Sequence, residues 1–386
     1  MLCEINTWGE LRHNASVRAL TPKEEKQMFE YVETNLRRQY IRHSNAKHSC
    51  GILWIPKKDT EELRMCIDFR PVNEKTRKVV HAPPPTAAYR NRILRYTWYA
   101  KFDIKEAYYH IRVNPADVPK TAFRCNLGTF ECLRMPFGLT NAPAYFQMYI
   151  ENEIGDLLGR NATVHLDDIL VYASSQKELR HMVRTLETRL RNANLTINEN
   201  KTIRETRKVT YCGFTYENGR CYPARQDGTI RHWPVPRNKR QLQSFLGMTN
   251  TLRDHVWKYA EIASPLYEST GLSWKWTPKQ DTAFRQLKLA TSRCIDTHHH
   301  DPLQAATITT DASLFGISAW LSQNKQVTGI VSRALTPAEK NYDTMDRELL
   351  ANFSVLVFFS HLHVSSRSIN QSLPIDLLSL HSVPKH

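Results

Sequence analysis

Nowhere does the sequence approach the ~20 consecutive apolar residues that a membrane-spanning helix needs. Its longest apolar stretch, Leu349 to Phe359, is broken by Asn352 and Ser354. The opening residues, MLCEINTWGE, hold no basic segment followed by an apolar run and a small-residue cleavage site. No signal peptide is read there, and an intracellular chain, cytoplasmic or nuclear, is expected. The eight cysteines (Cys3, Cys50, Cys66, Cys125, Cys132, Cys212, Cys221 and Cys294) form no C-x-x-C pair. That scatter excludes a disulfide framework and a strong zinc module, leaving small hydrophobes or free thiols. No repeat of 20 to 50 residues stands out, which argues against a solenoid. Acids are scarce too: 38 against 53 lysines and arginines, a formal charge of +15. Such a surplus favours a polyanionic partner without choosing between nucleic acid, anionic lipid and heparin-like polymers.

What is present is globular. At roughly 150 residues per domain, 386 residues imply two or three cores. Hydrophobic residues at 41% and aromatics at 10% are enough to pack them, so wholesale disorder is excluded. Thr21-Pro22-Lys23-Glu24, Thr277-Pro278-Lys279-Gln280 and Thr336-Pro337-Ala338-Glu339 each offer a threonine N-cap, a proline at the first helical position and a Glu or Gln to reach back. Three helices are predicted to begin there. Between Gly51 and Val72, apolar runs flank a polar tip from Pro56 to Glu62, which reads as a hairpin. Val79 to Pro85, with three successive prolines, is a connector. From Asn238 to Val256, Leu242, Phe245, Leu246, Thr249, Leu252 and Val256 recur at helical spacing and predict one amphipathic helix. The run His298 to His300 near Cys294 fits no usual zinc spacing and reads as a polar linker at a domain boundary. After it, Ala306 to Leu321 alternates like a strand pair.

The most informative stretch is Val164-His165-Leu166-Asp167-Asp168-Ile169-Leu170-Val171-Tyr172. β-prone runs flank two adjacent carboxylates, predicting a tight hairpin turn that holds the acids out from a sheet. An ordinary polar turn would read the same way in isolation. A second strand-like run, Trp98 to Ile104, carries the lone acid Asp103 near its end. If the two strands are neighbours, Asp103 and Asp167 converge and repel each other unless divalent cations lie between them.

In this order, Leu63-Arg64-Met65-Cys66-Ile67-Asp68-Phe69-Arg70-Pro71, Phe102-Asp103-Ile104-Lys105-Glu106-Ala107-Tyr108, Met135-Pro136-Phe137-Gly138-Leu139-Thr140-Asn141-Ala142-Pro143-Ala144-Tyr145-Phe146-Gln147 and Leu166-Asp167-Asp168-Ile169 follow one another. The series resembles the reverse transcriptase of gypsy-type long-terminal-repeat retrotransposons, relatives of retroviruses, from about Thr21 to Leu350. The resemblance implies an RNA-directed DNA polymerase with two Mg²⁺ ions, or Mn²⁺ in their place, held by Asp103 and Asp167 with Asp168 in support. It also implies deoxynucleoside triphosphates and a primed RNA or DNA template as partners. Lys57 and Arg64 match the positions that hold the incoming triphosphate, and Tyr108 the aromatic under the sugar that excludes a 2′-hydroxyl. Phe137 and Gly138 match the stretch packed around the nucleotide, and Lys201 the lysine placed to protonate pyrophosphate. Tyr211, Cys212 and Gly213 resemble the hairpin that grips the primer.

Thr309-Thr310-Asp311-Ala312-Ser313 and Arg347-Glu348-Leu349-Leu350 resemble the first half of the family's ribonuclease H domain, with Asp311 and Glu348 at two metal-ligand positions. Neither the expected T-D-H segment nor the strands around it are read downstream, which would leave the Phe353 to Phe359 stretch uncovered. The implied fold is α+β: a right-hand polymerase followed by a partial ribonuclease H-like α/β domain. Residues 1–40 are read as an N-terminal extension, 41–215 as fingers and palm, and 216–302 as thumb and connection. Residues 303–361 are read as the partial ribonuclease H-like domain and 362–386 as a divergent tail. His165 stands where the family usually has an aromatic. A fragment of a retrotransposon polyprotein is expected, with a decayed, inactive product that at most binds nucleic acid as the alternative. Oligomeric state, natural template and primer stay open.

Overall fold

The computed structural model describes residues 1–56, 63–81, 86–224, 230–271, 274–364 and 379–382. The chain divides into two compact units, Met1–Pro85 with Tyr99–Glu205, and Thr86–Trp98 with Thr206–His386.

In the first unit a four-stranded sheet runs in the order Ile203–Thr206, Trp98–Asp103, Asp168–Ala173, Ala162–His165. Ile169 to Ala173 are buried at every position, so side chains on both faces of that strand are covered. One cover is the helix Gln176–Asn192, which begins at Ser175, whose hydroxyl accepts from the Glu178 N–H. It turns Leu179, Val183, Leu186 and Leu190 inward at helical spacing. The other helix packed on this sheet is Ala142–Ile154. The expected hairpin is present: Ile52–Pro56 pairs antiparallel with Leu63–Ile67, with Pro56 opposite Leu63. Against Leu63–Ile67 lies the helix Pro22–Arg37, which starts with the capping box read at Thr21.

In the second unit, strands Lys208–Tyr211, Phe214–Glu217, Arg220–Pro223 and Thr297–His298 form a sheet in that order. His298 therefore belongs to a strand, and the expected linker is sheet edge, paired through Arg220 and Cys221. The helix predicted from Asn238 to Val256 runs only from Lys239 to Asn250. Beyond it the chain tightens into a 3₁₀ turn, Arg253–His255, which still buries Leu252 and Val256 but off the helical track. The capping box at Thr277 opens the helix Pro278–Thr291 as expected.

The third box departs from expectation. Thr336 and Glu339 do exchange their capping bonds, but the turn that follows is only the 3₁₀ segment Glu339–Asn341. Two bonds from Arg333, at 2.8 and 2.9 Å, hold the Glu339 carboxylate to the preceding strand. Tyr342 is extended, and the helix Thr344–Val364 starts after it, with Asp343 Oδ1 accepting from the Asp346 N–H. A second correction concerns the last sheet. Its order is Gln326–Ala334, Gly316–Gln323, Thr307–Ala312, Ser379–Ser382, the final strand running parallel to its neighbour with Thr307 opposite Ser379. The tail thus supplies a strand where none was expected. Phe359 packs on Ile308, Ala319 and Leu321, so the Phe353 to Phe359 stretch is covered at that end, although Phe353 is exposed.

Among the described residues, no helix is long and apolar enough to cross a membrane.

Candidate active site

The two acid-bearing strands are neighbours in the first sheet. His165 lies opposite Asp168, so Leu166 and Asp167 alone form the turn of the hairpin, and Asp168, expected in the turn with Asp167, is instead the first residue of the strand. Leu166 has φ +54°, a left-handed conformation that costs a residue other than glycine about 1 kcal/mol or more. The Asp167 carbonyl accepts from the Ile104 N–H at 2.9 Å, tying the turn to the residue after Asp103.

Asp103 is 8% exposed. Its carboxylate accepts from Asn198 Nδ2 at 3.1 Å and Lys201 Nζ at 3.2 Å. Burial pushes the Asp167 carboxyl above its ordinary range, and repulsion from Asp168 and Asp103 adds to the effect while Lys201 opposes it. Asp168 is paired instead with Lys101, 3.1 Å away, as the alternation of a strand directs for the residue beside Asp167. Asp103 and Asp167 line a cavity of about 710 Å³ together with Arg64, Phe137 and Lys201. Among the described residues, no three acidic, histidine or cysteine side chains are grouped to hold a metal by themselves. The pair Asp103 and Asp167 nonetheless fits a divalent cation: hard oxygen donors whose mutual repulsion a cation would relieve.

Phe137 is an exposed aromatic (46%) whose ring lies 4.8 Å from that of Tyr108. Tyr108 also meets Phe146 edge-on, and its hydroxyl is pushed up first by burial and then by Asp167. Gly138 has φ +99°, and a Cβ there would lie 3.3 Å from Phe69 Cδ2 and 3.4 Å from the Ile67 carbonyl oxygen. Its own carbonyl accepts from Asn73 Nδ2 at 2.8 Å. Lys57 lies outside the described residues. Tyr211, Cys212 and Gly213 belong to the second unit, where Cys212 and Gly213, both at positive φ, form a two-residue turn between paired Tyr211 and Phe214. Tyr211 is fully buried beside Tyr89 and Cys212 is half-buried, so the turn exposes the Gly213 backbone rather than the tyrosine ring. Asp311, also in the second unit, is ion-paired with Lys258 at 2.7 Å, while Glu348 lies on the helix Thr344–Val364.

Sequence reasoning missed one wall of the cavity. Gln27, Glu30, Tyr31, Thr34, Asn35 and Arg38 line it, from the helix Pro22–Arg37 and its C-cap. Tyr31 and Tyr109 join their hydroxyls at 3.3 Å, and burial raises both, Tyr109 to about 12, so they stay neutral. Arg38 reaches Glu106 at 3.0 Å. The paired tyrosines at 108 and 109 were the available signal, since only one of them was given a role.

Residues 55–216 match the family described as reverse transcriptase (RNA-dependent DNA polymerase). Residues 276–369 match the RNase H-like domain found in reverse transcriptase. The chain is 31% identical over 350 residues to the Transposon Tf2-3 and Tf2-7 polyproteins of Schizosaccharomyces pombe, covering 89% of this chain and 26% of each polyprotein. It therefore spans about a quarter of the length of those relatives. Among solved structures, a foamy viral protease-reverse transcriptase in complex with double-stranded DNA is similar at TM-score 0.79 and 17% identity, over 99% of this chain and 73% of that one. Another, in complex with RNA/DNA hybrid, has TM-score 0.74 and 18% identity, over 98% and 50%. The fold is α+β, a right-hand polymerase with an RNase H-like domain. The chain is a homologue of the Tf2 retrotransposon polyproteins, with a domain matching reverse transcriptase over residues 55–216 and an RNase H-like domain over residues 276–369.

Proposed function

We propose that the chain extends a primer 3′-hydroxyl with deoxynucleotides along an RNA or DNA template, as a piece of a gypsy-type retrotransposon polyprotein working in a virus-like particle or nucleus. The observation that carries this reading is the convergence of Asp103 and Asp167 on a cavity that also holds Arg64 and Lys201. Nucleic acid as partner is supported by the +15 charge and by the duplexes bound to the similar foamy viral structures.

Asp103 and Asp167 are the residues that would hold Mg²⁺, or Mn²⁺ in its place. When bound, two such ions supply Lewis-acid stabilisation of the α-phosphate and a more acidic primer hydroxyl. Asp168, held by Lys101, keeps the base of the hairpin in register and adds negative charge beside Asp167. Arg64 offers its guanidinium to triphosphate oxygens, and the resemblance gives Lys57 the same task. Lys201 is the proton donor to departing pyrophosphate. Tyr108, wedged between Phe137 and Phe146, has no room to yield to a 2′-hydroxyl and so selects deoxyribose by overlap. Phe137 offers its exposed face to the base, and the missing Cβ of Gly138 lets the backbone approach. In the second unit, the Cys212-Gly213 turn presents backbone to primer phosphates, which need no base readout. Residues 41–215 serve as fingers and palm, and 216–302 as thumb and connection. Asp311 and Glu348 are remnants of a ribonuclease H site.

Purified protein supplied with a primed RNA template, Mg²⁺ and deoxynucleotides is expected to lengthen the primer. Salt-sensitive binding of the primed template without extension would instead identify a decayed product.

A further inference from the structure

The hairpin that carries Asp167 has the wrong residue for its turn. Two-residue hairpins place Gly or Asn where φ is positive, yet Leu166 occupies that position at φ +54°. A left-handed leucine persists only where its surroundings over-determine it. One side chain does so. Gln147, on the helix Ala142–Ile154, is 0% exposed. Its Oε1 accepts from the Leu166 N–H at 2.8 Å, and its Nε2 donates to the Val164 carbonyl at 3.3 Å. The same Nε2 donates to Glu151 Oε1 at 2.7 Å, one helical turn on, and Glu151 Oε2 meets His81 Nε2 at 3.0 Å.

We infer that Gln147 is a positioning residue for synthesis: its buried amide clamps the hairpin on either side of His165 and so fixes where Asp167 stands relative to Asp103. The inference rests on the polymerase reading of the Asp103 and Asp167 pair. From the other side the Ile104 N–H holds the Asp167 carbonyl, so the turn is gripped between the strand of Asp103 and the helix of Gln147. Removing the amide leaves the strand-side grip intact but frees Leu166 to relax toward negative φ, and that rotation swings the adjacent carboxylate. Glu151 acts one step further out, fixing which way the amide faces. Helix packing alone would not require glutamine here. An apolar side chain of the same length would fill the site and leave the Leu166 N–H and Val164 carbonyl without this partner.

Gln147→Met keeps the length and removes every hydrogen bond. Two readouts decide its role: hydrogen exchange at the Leu166 amide in metal-free protein, and single-turnover nucleotide addition on a primed RNA template. In Gln147→Met, Leu166 is expected to exchange at least about tenfold faster while Ile169 and Val171 keep their rates. The addition rate is expected to fall by about tenfold or more, with KM for the deoxynucleotide and affinity for the primed template each within about threefold of the parent. Glu151→Leu should shift both readouts in the same direction by less, and Glu151→Gln, which keeps an oxygen for Gln147 Nε2, by less again. Unchanged exchange at Leu166, or an addition rate within twofold of the parent, would overturn the inference. So would a loss of rate matched by an equal loss of template affinity. Should Gln147→Met not fold, the same two readouts on Glu151→Leu decide. The exchange measurement needs no polymerase activity, so a parent protein that fails to extend primers would sink the polymerase reading and leave the clamp to be judged on exchange alone.

Discussion

Tyr108 is the ring proposed to discriminate between sugars. It follows the 3₁₀ start at Ala107, lies against Phe137 and Phe146, and is close enough to Asp167 for that charge to raise its hydroxyl further. Replacing the ring with a small side chain opens space without removing a carboxylate. Tyr108→Val is therefore predicted to lower the preference for deoxyribonucleotides over ribonucleotides by about tenfold or more, measured as the ratio of their kcat/KM values. An unchanged ratio would make Tyr108 a packing residue. Lys201 belongs to the same scale. It lies 3.2 Å from Asp103, so the side chain proposed as proton donor also eases the repulsion between the carboxylates.

At the scale of elements, the turns do most to set the site, and Gly138 is the clearest case. Its φ of +99° and the nearness of Phe69 and Ile67 leave no relaxed place for a methyl group. Gly138→Ala is predicted to cost about 1–2 kcal/mol, read from the denaturant midpoint. It should also slow nucleotide addition, because Phe137 precedes it and would be displaced.

What could be read from sequence was local. The hairpin of Ile52 to Ile67, the presence of a hairpin turn around Asp167 and the boxes at Thr21 and Thr277 are decided by residues within a few positions of one another, whereas the place of Asp168, expected in that turn, is on the strand. At Thr336 the box forms but no α-helix follows it; the helix starts instead at Thr344, behind the bond from the Asp346 N–H to Asp343. Five candidate residues, Asp103, Asp167, Arg64, Phe137 and Lys201, line one cavity. The wall supplied by Tyr31 and Arg38 was invisible, since helix periodicity marks an inward face without saying what lies across from it. Gln147 stood inside a recognised motif, but its role depends on a backbone strain at Leu166 that no sequence pattern reveals.

At the scale of the whole molecule, the two halves of the sequence are expected to differ in activity. Asp311 is neutralised by Lys258, which is at φ +55° immediately before the helix Tyr259–Glu268. That carboxylate is thus engaged in a structural pair, and two matched ligand positions are too few to hold two metals astride a phosphate. The 386-residue chain is predicted not to cut the RNA of a labelled RNA–DNA hybrid in Mg²⁺ or Mn²⁺. Hybrid-specific cleavage abolished by Asp311→Asn would contradict this.

The central claim is that Asp103 and Asp167 act together on the primer end while other surfaces hold the duplex. It is tested most directly by measuring primer extension and primed-template affinity side by side for the parent, Asp103→Asn and Asp167→Asn. Asp103→Asn and Asp167→Asn are each predicted to lower extension by about 10³-fold or more while affinity stays within about threefold. Near-normal extension by Asp103→Asn would contradict the account.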